Sequence, residues 1–109
     1  MKRFQQLLAD AKPGPFEPVP DTRIPAIAAS LQERDIAEVA AELENLGREK
    51  AATPDWDGDT RDDIARAQHL FARLLVAIPA ALQAQVTAAL ANASGETLDW
   101  VKVARDEKA

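Results

Sequence analysis

The stretch DTRDDIARAQHLFARLLVAIPAALQAQVTAALANA, residues 59–93, decides the fold. Ile64, Ala67, Phe71, Leu74 and Ile78 recur at alternating steps of three and four, which puts them on one face of an α-helix. Pro79 has no N–H to offer the carbonyl of Leu75, so the helix must kink or end there. Beyond it Leu82, Val86 and Leu90 resume the apolar pattern, as a fresh helix running toward Gly95. Small residues at Ala81, Ala84, Ala88 and Ala89 would let another helix approach closely. The expected core element is therefore a central kinked helix or a helical hairpin around Pro79.

The remainder of the chain agrees with an all-α fold. Of 109 residues, 47% are apolar, but there are only three Phe, two Trp and no Tyr. Alanine supplies much of the rest, which favours helix while burying little area per residue. The period-2 alternation of β-branched residues that strands need is missing. We expect a small bundle of four to six helices in a single domain over residues 1–109. Alanine-rich faces bury modest area, so a homodimer that completes the core with a second copy is one expectation.

Residues 2–11 carry Phe4, Leu7, Leu8 and Ala11 in a short amphipathic pattern, read as an N-terminal helical arm. Residues 12–21 form a proline-rich connector with four prolines in KPGPFEPVP, anchored by Phe16 and Val19. Its P-x-x-P spacing, Pro15 and Pro18, is read as part of a stiff connector, not a recognition motif. Residues 22–107 are the bundle. Pro25 sits in the first turn of a helix carrying Ile24, Ile27, Ala28 and Leu31. The phase then breaks, and Asp35 with Glu38 resembles a capping box opening a second helix through Ile36, Val39, Leu43 and Leu46. Gly47 is read as its C-terminal cap. At the C-terminus, residues 97–103 read as helix or strand; with no second strand to pair, we read a helix capped by Ser94, with Leu98, Val101 and Ala104 on one side, Trp100 packed on the bundle, and residues 106–109 frayed.

The candidate functional residues lie in two places. In AATPDWDGDT, residues 51–60, Asp55, Asp57 and Asp59 alternate like the opening of a calcium loop. Thr60 then stands where that loop needs glycine and Arg66 where it needs a bidentate Glu, so no metal site is assigned. The acids instead suit a helix start, with Asp59 or Thr60 as N-cap and Asp62 and Asp63 in the first turn. Trp56 either seals the bundle end or stands out as a binding anchor. In the central helix, Arg66, His69 and Arg73 form one stripe. It reads either as an anion site with His69 as acid–base group, or as a surface on which Asp62 pairs with Arg66.

Composition narrows the function classes. With 13 basic against 18 acidic residues the chain carries a net charge of −5, the wrong sign for direct nucleic-acid binding or for an anionic membrane. Absence of cysteine removes thiol chemistry and Cys-based metal sites. Gln5, Gln6 and Asp10 interrupt any signal-peptide core, and no apolar run is long enough to span a bilayer, so a cytoplasmic location is expected. No cofactor motif is present. The reading is a small acidic protein-interaction module without catalytic activity, of adaptor, chaperone, immunity or anti-activator type, whose partner is another protein. Its binding surface is placed on Trp56 with Asp55, Asp57 and Asp59, or on Phe4, Leu7 and Leu8. One alternative is an acidic protein that blocks the basic cleft of a nucleic-acid-binding protein. The other is a carboxylate/metal-dependent enzyme, for which Glu38 and Glu42 stand at the wrong interval.

Overall fold

A computed structural model describes residues 19–108, together with Gln6 and Gly14. The N-terminal arm with Phe4, Leu7 and Leu8, and most of the proline-rich connector, lie outside the described residues. From Val19 onward the chain folds into five α-helices and two single 3-10 turns, with no strand among the described residues. The helices are α1 (Ile24–Ser30), α2 (Glu33–Ala52), α3 (Gly58–Ala77), α4 (Gln83–Ala89) and α5 (Gly95–Lys108). The bundle is built on α3: α1, α2 and α5 all pack against it, and α4 packs on α2.

Helix α1 opens as expected, with Pro25 in its first turn. Ile24, Ile27 and Ala28 are buried, followed by Leu31 at the break before α2. Val19 is buried ahead of α1, and Pro20 is in the extended polyproline conformation expected of the connector. The break ends one turn earlier than the sequence pattern implies. The capping carboxylate is Asp35, but it caps Gln32: its Oδ2 accepts from the Gln32 N–H at 2.9 Å. Asp35 is thus the third helical residue rather than the cap, and Glu38 has no part in the box.

Gly47 does not end α2, which continues for five more residues to Ala52. Glycine in a helix interior costs about 1 kcal/mol relative to alanine. Its position here has a packing reason: a Cβ on Gly47 would stand 3.2 Å from the Glu96 carboxylate of α5. The missing side chain lets the start of α5 lie close against α2.

That contact belongs to a polar junction of three helices. Gln68 on α3 is 1% exposed, and its side-chain amide lies between Lys50 of α2 and Glu96 of α5. Lys50 Nζ donates to Gln68 Oε1 at 3.0 Å, and Gln68 Nε2 donates to Glu96 Oε1 at 3.3 Å. Lys50 also pairs directly with Glu96 and stands 5.6 Å from the centre of the Trp100 ring. One turn back on α2, Glu44 accepts from the Ser94 N–H at 2.6 Å and so helps to cap α5. Ser94 caps as expected, its hydroxyl accepting from the Thr97 N–H at 3.3 Å.

At the far end of α3 the chain turns by 101° across Pro79 into a 3-10 turn, Ala80–Leu82, and α4. Pro79 exposes carbonyls at the end of α3, and side chains take them up. Gln83 Nε2 donates to Ile78 O at 2.7 Å and to Leu75 O at 3.3 Å, while Lys108 Nζ donates to Val76 O at 3.2 Å. The helix after Pro79 is shorter than expected and stops at Ala89, with Val86 and Leu90 buried and Ala81, Ala84 and Ala88 exposed. Gly95 is not an end signal; it is the first residue of α5. On α5 the buried positions are Thr97, Val101 and Ala104, so Leu98 is displaced from the expected face and is 46% exposed. The last turn does not fray where expected, because Glu107 and Lys108 both contact α3.

No single helix among the described residues is long and apolar enough to cross a membrane.

Two outcomes follow for the junction. The Lys50 hydrogen bond holds the Glu96 carboxyl below its ordinary value of 4.5, against a smaller opposing effect of burial. The Thr97 hydroxyl, with Ser94, does the same for Glu44, again partly offset by burial. Carboxyls depressed in the folded state stabilise it above the unfolded value and cease to do so as pH falls through the folded one. Melting temperature should therefore fall below pH 4.5, and in a Glu44→Gln/Glu96→Gln variant it should change less than wild type between about pH 6 and about pH 3. Replacing Gln68 by Leu removes one hydrogen bond each from Lys50 and Glu96 and leaves only their direct pair; a loss of about 1–3 kcal/mol is expected in urea unfolding.

Candidate interaction site

The site grows from how α2 ends and α3 begins. The connection is short, residues 53–57, and it is held by local hydrogen bonds of Thr53, Pro54 and Asp57. Thr53 Oγ1 donates to Glu49 O at 2.7 Å, and the Thr53 N–H closes the last turn on Lys50 O. The Asp57 N–H returns to Pro54 O at 3.0 Å, so residues 54–57 make one tight turn. Arg61, from the first turns of α3, reaches back across it. Its Nη1 donates to Lys50 O at 2.8 Å, which also accepts from the Thr53 N–H, and to Thr53 O at 3.0 Å, just past the end of α2.

Trp56 is the third residue of that turn and is 85% exposed. It does not seal the end of the bundle. The sealing tryptophan is Trp100, half-buried on α5, whose ring centre lies 5.8 Å from that of His69. A large apolar ring displayed on a pinned turn contributes nothing visible to the fold.

The acids around Trp56 divide by role. Asp57 is the N-cap of α3, its Oδ1 accepting from the Thr60 N–H at 3.4 Å; the cap is thus Asp57, ahead of the Asp59 or Thr60 expected from sequence. Asp55 is fully exposed, 3.9 Å from Arg61; Asp59 is exposed on the first turn of α3, while Asp62 and Asp63, expected there, are exposed on the second because the helix already starts at Gly58. The ion pair on this helix joins Asp63 to Arg66 at 2.7 Å, in place of the expected Asp62–Arg66 pair. Among the described residues, no three His, Asp or Glu side chains gather as a metal-ligand set.

The stripe of Arg66, His69 and Arg73 is present on α3, but each member meets a different carboxylate. Arg66 turns to Asp63, His69 Nε2 lies 2.6 Å from Glu107 Oε1 of α5, and Arg73 pairs with Asp21 ahead of α1. Glu107 and Asp21 are the carboxylates that local spacing could not supply, since they lie far along the chain.

If Arg61 is what holds Trp56 in place, Arg61→Gln should release it. We expect faster hydrogen exchange of the residue 53–57 amides, with those of Gln68 and Leu74 unchanged, and a stability loss of about 1–2 kcal/mol.

No family model matches the chain, and comparison with curated proteins and with solved structures gives no significant match.

Proposed function

We propose that this chain is a non-catalytic protein-interaction module that binds another protein through Trp56, with Asp55 and Asp59 orienting the encounter. The observation that carries this reading is the 85% exposure of Trp56 on a hydrogen-bonded turn whose approach from α2 is held by Arg61. A tryptophan buries about 200 Å² on docking, worth roughly 5 kcal/mol before the costs of association. An exposed ion pair contributes about 0–1 kcal/mol. Affinity is therefore assigned to the ring, and approach and orientation to the carboxylates. The turn is closed by its own hydrogen bond, which lowers the backbone entropy to be lost there on binding.

The partner surface that suits this tip is an apolar pocket with a basic rim. A nucleic-acid-binding protein whose basic cleft is blocked by the acidic tip is the second reading, favoured by the exposure of Asp55, Asp59, Asp62 and Asp63 around Trp56. A second copy of the chain is a further possible partner, and sedimentation of the isolated protein distinguishes it from a different protein.

The test is a photo-crosslinking residue at position 56, used to identify the partner, followed by affinity measurements with substituted chains. Trp56→Ala should weaken binding roughly thirtyfold or more, as expected of an interface hot spot. Asp55→Asn/Asp59→Asn should slow association and flatten its salt dependence. Unchanged affinity in Trp56→Ala would remove Trp56 from the interface and the proposal with it.

A further inference from the structure

A separate concave surface lies where α1, α3 and the last turns of α5 meet. It encloses about 530 Å³ and is lined by none of the Trp56 turn. That volume is within the range of small-molecule sites, about 300–1,000 Å³. Its apolar wall is Ile24, Val76, Ala77 and Ala104.

The polar groups on its rim differ in how firmly they are held. Arg73 and His69 stand on the central helix, with side chains 27% and 33% exposed. The carboxylates they meet are more open: Asp21 is 81% exposed and Glu107 52%. The basic side chain is thus the embedded half of each pair, and the carboxylate is the exposed half. Arg73 carries five N–H donors in a planar fork, and among the described residues its ion-pair partner is Asp21. Lys108, on the same rim, has three donors and gives one to the Val76 carbonyl.

We propose that this cleft binds a small organic carboxylate and that Asp21 occupies the ligand's place in its absence. The ligand carboxylate takes the Arg73 fork, with Lys108 beside it, and the apolar body lies on Ile24, Val76, Ala77 and Ala104. The local charge favours a monoanion. Asp21 pairs with Arg73 and Glu107 stands on the same rim, so displacing Asp21 accommodates one negative charge, whereas a phosphate dianion would bring a second charge toward Glu107. This site is independent of the proposed Trp56 interface, and either can fail without the other.

The test uses amide NMR of the full chain, titrated with sodium hexanoate, hexanol and inorganic phosphate in turn. Hexanoate should give saturable shifts at Asp21, Ile24, Arg73 and Val76, with millimolar affinity expected for so small a probe. Hexanol lacks the charge and phosphate the apolar body, and both should bind more weakly. Asp21→Asn removes the internal competitor and should tighten hexanoate binding several-fold. Arg73→Gln should weaken it about tenfold or more, with the Lys50, Gln68 and Glu96 amides unmoved as a check on folding. Should Arg73→Gln disturb those amides, Asp21→Asn alone decides. Absence of cleft shifts, no tightening in Asp21→Asn, or equal binding of hexanol or phosphate would each overturn the proposal.

Discussion

The amide of Gln68 has two ends, and a buried amide must find partners for both. One end accepts from Lys50 of α2 and the other donates to Glu96 of α5, so the three helices can pack only where those partners meet. Much of the neighbouring sequence is arranged to permit that meeting. Gly47 clears the space for Glu96, Trp100 lies against the Lys50 ammonium, and Glu44 and Ser94 fix the first turn of α5. Around the junction the packing is ordinary and apolar: Leu43, Leu74, Leu75, Val39 and Val101 are all buried. Hydrophobic burial supplies the drive to fold, but it is non-directional. The Gln68 amide supplies direction, setting the rotation of α5 about its axis and hence which of its residues face inward.

The two tryptophans are placed differently. Trp100 is turned into the junction, where His69 and Lys50 cover its ring. Trp56 is left on a turn closed by the Asp57 N–H on Pro54 O, next to the end of α2 that Arg61 and Thr53 bind. The turn is thereby ordered without any help from its largest side chain. That division, one ring holding helices together and one ring presented outward, is the basis for reading the protein as a binding module.

Helical class and the position of the main break were legible in the sequence, because a 3.6-residue period and a proline act locally. Pro25 and Ser94 were legible for the same reason. Gly47 was not: a glycine at the end of an apolar stripe suits a cap, and only the approach of Glu96, far along the chain, shows that it serves contact instead. The Asp35–Glu38 pair matched a capping pattern by residue type, while the carboxylate served the turn before it. Gln68 did leave a signal. It falls in phase with Ile64, Phe71 and Leu75 on an otherwise apolar face, which is where a buried polar side chain with distant partners is expected. Trp56 was visible as a candidate, but whether it folded back or stood out depended on Arg61 crossing the turn. The pairings of His69 with Glu107 and of Arg73 with Asp21 join residues too far apart for spacing to indicate.

The most direct test of the account is acrylamide quenching of tryptophan fluorescence in Trp100→Phe and Trp56→Phe, each of which leaves one ring to report. Trp56 should be quenched nearly as readily as tryptophan in a short peptide, and Trp100 several-fold less. Equal quenching of the two, or a protected Trp56 in the isolated chain, would contradict the division between an inward and an outward ring.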